Sequence, residues 1–150
     1  MWSRLRIASL VVTSLFLPIQ QGVAQQPADE HIDDFPGHPR AFVISDIGNE
    51  PDDQMSFVRF LLYSNEIEVE GLVASTSTWQ KTATHPETMH QIIALYGQVQ
   101  PNLLKHTAGW PTASELDKKV ATGQPAYGLA AVGRGKSSPG SQLLVQAVDR

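Results

Sequence analysis

"RAFVISDIGNEPDDQMSFVRFLLYSNEIEVEGLVASTS", Arg40 to Ser77, decides the fold. It opens on an unbroken apolar run, Ala41 to Ile44, which predicts a strand buried on both faces. "DIGNEP" is a loop, in which Gly48 permits a tight turn. A helix is predicted from Asp52 or Asp53, with Met55, Val58, Leu61 and Leu62 on one inward face. It should end near Ser64 and Asn65. "IEVEGLVAST" predicts a second strand. Strand, helix and strand with short connections indicate a parallel βαβ unit.

The pattern continues beyond Ser77. "STSTWQKTAT" is a polar loop. His85 to Val99 predicts a second helix, with Pro86 in its first turn and Met89, Ile92, Ile93 and Tyr96 inward. "TASELDKKVAT" predicts a short third helix, and "YGLAAVGRGKSSPG" an irregular Gly-rich segment. A further helix starts in "SPGSQLLVQAVDR", capped by Ser138 or Ser141. Two strands are too few to bury the edges of a parallel sheet. Residues 40–150 therefore read as the N-terminal part of a larger α/β domain with an open, mainly parallel sheet.

The first residues read as processing. Arg4 and Arg6 precede the apolar run "IASLVVTSLFL", which is short for a membrane span, and Gly22 and Ala24 have signal-peptidase spacing. Met1–Ala24 is expected to be a cleaved secretory signal, giving a secreted or periplasmic protein. Residues 25–39, with Pro27, Pro36 and Pro39, read as a flexible linker. After the signal, 15 acids face 9 basic residues, a net charge near −6. With no basic cluster, nucleic acid is not an expected partner. Cysteine is absent, so neither disulfides nor a thiolate metal site is available.

Asp46, Glu50, Asp52 and Asp53 fall within eight residues that hold no Lys or Arg. Asp52 and Asp53 suit a helix start, where acids complement the dipole. Asp46 adds more, because it ends a strand at the mouth where α/β sheets place ligands. A helix beginning at Asp52 would return Asp52 and Asp53 to that mouth, so three carboxylates are expected to converge. Arg40 lies at the far end of the strand, about 20 Å away. Arg59 lies about 10 Å along the helix from Asp52. Repelling carboxylates bind a proton or a cation, and hard oxygen donors favour Ca²⁺, with Mg²⁺ second. A haloacid-dehalogenase phosphatase would carry Asp where Gly48 stands, and no phosphate loop or nucleophile elbow is present.

The opening stretch, with "HPE" and "SPGSQLL", resembles the nucleoside hydrolase superfamily, in its exported cellulose-binding, nucleoside hydrolase-like branch. The likeness covers residues 40–150. It implies an open parallel α/β sheet with Ca²⁺ in the crevice, and a small sugar, a nucleoside or a plant polysaccharide as partner. It implies Asp46 as metal contact and general base, Asp53 as bidentate ligand, and Asp52 beside the sugar or the attacking water. The reaction implied is hydrolysis of N-glycosyl compounds; non-catalytic cellulose binding on the same fold is the alternative. Two departures stand out. Ile44 occupies the place of a family Asp, and "NE" lengthens the loop, so Asn49 and Glu50 are expected to join the ion or substrate.

Thr76 and Ser77 follow the second strand and are expected to line the same crevice. Trp79 is expected to pack over the sheet edge, with stacking on a sugar ring as its second reading. His85 is read as a helix-start residue and Trp110 as a packed loop aromatic.

Overall fold

The computed structural model describes residues 37–150. The expected signal segment lies outside these residues, as does the linker up to residue 36. At the linker's end the Pro39 carbonyl accepts the Glu68 N–H at 2.9 Å, tying it to the sheet. No described helix is long and apolar enough to cross a membrane.

Three strands form one sheet in the order β1-β2-β3: β1 Arg40–Ser45, β2 Glu68–Ala74 and β3 Val120–Thr122. Both pairings are parallel, with Val43 opposite Leu72 and Leu72 opposite Val120. The helices are α1 Pro51–Leu61, α2 Pro86–Leu103, α3 Ala113–Asp117 and α4 Pro139–Val148. The fold is α/β with a small open parallel sheet.

β2 is the buried centre: every residue from Val69 to Ala74 is buried. Helices α1 and α2 cover one face, where Ile47, Phe57, Leu61, Leu72, Met89, Ile93, Tyr96 and Leu116 form the core. Helix α4 packs on the other face against β2 and β3. A Cβ on Gly140 would lie 2.6 Å from Val73, so only glycine lets α4 approach this closely. Gly71 does the same for the Phe42 ring, which a Cβ there would meet at 2.3 Å.

Four expectations need correction. β1 is an edge strand and is not buried on both faces: Ile44 is 60% exposed, because among the described elements α4 is laid over β2 and β3. Within "TASELDKKVAT" only Ala113–Asp117 is helical, and Val120–Thr122 is the third strand. The Thr112–Glu115 capping box starts the helix, and pairing with β2 captures the rest. Helix α2 runs past Val99 to Leu103.

The inward face of α1 is also different. Phe57 and Leu61 are buried, whereas Met55, Val58 and Leu62 stay exposed. The inward stripe has Phe57 and Leu61 buried with Phe60 and Asp53 half-buried, so the turn that buries Phe57 also carries Asp53 toward the end of β1. The predicted stripe was about one residue off, enough to rotate a helix by about 100°.

Candidate functional site

The site is built where β1 ends. Ser45, the last strand residue, donates its hydroxyl to Asp53 Oδ2 at 2.9 Å and accepts the Ile47 N–H at 3.0 Å. Gly48 turns the chain with φ +100°, a conformation that L side chains resist. The Asn49 N–H closes the turn on the Asp46 carbonyl at 3.3 Å. Glu50 occupies the N-cap of α1 without a side-chain bond, and Pro51 opens the helix.

The Asp46 and Asp53 carboxyls lie close enough for each to shift the other's affinity for a proton. The Ser77 hydroxyl holds Asp46 below the usual carboxylate range, with Asp53 as a further donor. Burial pushes Asp53 up, and the negative charges of Asp46 and Asp52 add to that. Ser45 opposes the rise and is outweighed. The two shifts run in opposite directions, Asp46 downward and Asp53 upward.

The expected convergence of three carboxylates does not occur. Asp52 is exposed and acts on Asp53 only through its charge. Among the described residues, no three His, Asp or Glu side chains are grouped to hold an ion. The donors fit Ca²⁺ or Mg²⁺ in kind, being hard oxygens. They supply two carboxylates of the about six to eight oxygens that Ca²⁺ takes. Neither Arg40 nor Arg59 relieves the pair; Arg40 binds Glu70 at the opposite end of the sheet.

The loop after β2 fastens to this pair. Ser77 accepts the N–H groups of Trp79 and Gln80 at 3.0 and 3.1 Å, and its own N–H donates to the Gln80 carbonyl at 2.9 Å. The Gln80 amide donates to the Asp46 carbonyl at 3.2 Å. Thr76 points elsewhere, donating to the Gln124 carbonyl at 3.3 Å. Asn49 and Glu50 are exposed. Trp79 does not pack over the sheet edge: it is 80% exposed, because the turn that anchors Ser77 and Gln80 directs it outward.

His85 caps α2, as expected, and its ring lies on Gly48. Trp110 is partly buried against the core. Sequence reasoning missed Ser45 and Gln80. A hydroxyl just before Asp46 was the available signal for Ser45; Gln80, 34 residues from Asp46, offered none.

A small open parallel sheet with an acid pair beyond its carboxyl edge belongs to the open α/β class, whose members place ligands at that edge. The chain belongs to a particular family of that class, whose model, described as "Cellulose-binding Sde182, nucleoside hydrolase-like domain", matches residues 40–150. It is also similar to a solved structure, a nucleoside hydrolase-related hypothetical protein from Saccharophagus degradans that is associated with carbohydrate metabolism. The two are 40% identical with a TM-score of 0.73, over 76% of this chain and 28% of that one. The chain therefore spans less than a third of that relative's length. A comparison with curated proteins finds no match.

Proposed function

We propose that the Asp46–Asp53 pair is part of the catalytic centre of an exported hydrolase acting on N-glycosyl compounds. The observation that carries this reading is the placing of two acids at the carboxyl end of β1, Asp53 held by the Ser45 hydroxyl and Asp46 by the Gln80 amide on its carbonyl, with their proton affinities shifted in opposite directions. Enzymes separate acid and base roles in this way. Asp46, whose affinity for a proton Ser77 lowers, takes the proton of a water, which attacks the anomeric carbon. The bond to the nitrogen leaving group breaks, its electron pair stays on the nitrogen, and solvent protonates the freed base while Asp46 returns its proton to solvent. The remaining charge of the acidic loop favours the positive, oxocarbenium-like sugar. Asp46 and Asp53 would hold Ca²⁺ or Mg²⁺, the chemistry supplied being an oriented water of lowered pKa. Asp52, exposed at the mouth, is assigned to the sugar or the water, with Asn49, Glu50 and Ser77 around it.

Calorimetric titration of the full chain with Ca²⁺, before and after Asp53→Ala, tests the metal. Binding lost in the variant is expected; absence of binding in the unmutated protein overturns it. Release of free base from nucleosides, abolished by Asp46→Asn, tests the hydrolysis.

The second reading is non-catalytic saccharide binding on the same fold. The family description and the 80% exposure of Trp79 favour it. Retention on cellulose without turnover of any nucleoside is its signature.

A further inference from the structure

We propose that Trp79 and Tyr127 form an aromatic platform on which successive rings of a β-linked oligosaccharide stack, beside the acid pair. The proposal rests on the reading of this edge as a sugar site.

Trp79 is 80% exposed and contributes little to the core. Its turn is nevertheless fixed, by two N–H groups on Ser77 Oγ and by Gln80 on the Asp46 carbonyl. Trp79 directly precedes Gln80, whose amide reaches the Asp46 carbonyl at 3.2 Å. Tyr127 is 51% exposed, and its N–H donates to the carbonyl of Lys81, two residues beyond Trp79, at 2.9 Å. The backbone that carries a second exposed aromatic is therefore tied to the same loop. An indole on a braced turn loses little freedom on binding, which favours affinity.

The surroundings choose the ligand. The faces of both rings are negative and attract C–H groups of partial positive charge. The flat side of a β-glucopyranosyl ring presents such groups, and its rim presents hydroxyls. The Asp46 carboxylate and the Ser77 hydroxyl lie beside the turn as acceptors for those hydroxyls. An anionic ligand is disfavoured: Asp46, Glu50, Asp52 and Asp53 crowd the neighbouring loop, and residues 75–84 supply one cation, Lys81. Two exposed rings on loops joined by a backbone bond suit a chain of sugars better than a single ring.

The test is calorimetry and tryptophan fluorescence of the full chain with cellohexaose, and in parallel with adenosine. Trp79→Ala is expected to weaken cellohexaose about tenfold or more, Tyr127→Ala less, and Trp79→Phe to restore most of the loss. The melting temperature should stay unchanged, since the indole buries little. Equal cellohexaose affinity in the unmutated protein and Trp79→Ala overturns the platform and leaves the sugar site standing. Binding of adenosine alone also overturns the platform and leaves the N-glycosyl reading. Binding of neither overturns both.

Discussion

The His85 ring lies directly on Gly48: a Cβ built there would meet three of its side-chain carbons at 2.8–2.9 Å. Gly48 is also held at φ +100°. Both constraints act on the turn that presents Asp46. Gly48→Ala is therefore expected to destabilise the fold by about 1–2 kcal/mol from backbone strain, with the clash in addition. Urea unfolding measures this. His85→Ala removes the two ring carbons but keeps its Cβ at 2.9 Å, so it should recover part of the clash and none of the strain, and the double variant should lie between Gly48→Ala and the parent.

The acid pair makes a signed prediction. Asp53 binds its proton more tightly in the folded protein than in the unfolded one. Its contribution to stability is present below the ordinary carboxylate range and is lost as pH rises through its raised pKa. Asp46→Asn removes a neighbouring charge and should lower the Asp53 pKa, whereas Ser77→Ala should raise that of Asp46. Carboxyl carbon NMR titration reads both; an Asp53 titration unmoved by Asp46→Asn would refute the pairing.

Glu70 behaves in the opposite sense. It is 9% exposed, and the Arg40 guanidinium, with Arg150, holds its carboxyl below the usual range. Arg40 also donates to the Ala147 carbonyl at the end of α4, so this cluster joins β1, β2 and α4. The stability from Glu70 is present above its unfolded pKa and lost as pH falls through its folded one. Glu70→Gln should lower stability at neutral pH by about 2 kcal/mol and flatten the acid limb of the stability curve. Thermal melts from pH 3 to 8 measure both.

The orientation of α1 can be tested by pairing two truncations. Leu61 is 1% exposed, and Leu61→Ala should cost about 2–5 kcal/mol. Met55 is 64% exposed, and Met55→Ala should stay within about 0.5 kcal/mol of the parent. Equal losses would restore the Met55 face as the buried one.

Several features were readable locally. The N-cap role of Ser138 needs only the Ser-Pro junction before an apolar run, and Ser138 and Ser141 do form a capping box. Gly48 and Pro51 announce a tight turn into a helix. β3 was hidden because "VAT" is three residues long and follows a helical pattern; only its pairing with Leu72, Val73 and Ala74 makes it a strand. The exposure of Ile44 was hidden for a similar reason. An apolar run reports what a strand can bury, not which elements arrive to cover it.

The sequence by itself determined the β-loop-α-β order and the acid-rich loop. It also determined the strand-end position of Asp46, because hydrophobic period, turn residues and helix-start chemistry act over a few neighbouring residues. The tertiary structure decided which acids meet. The helical turn that buries Phe57 and Leu61 brings Asp53 to Asp46 and leaves Asp52 in solvent. Ser77 and Gln80 reach the same point from beyond β2, and the turn they form leaves Trp79 exposed. Those outcomes depend on how α1 rotates against the sheet and how β2 registers with β1. Both are settled by packing between residues distant in the chain.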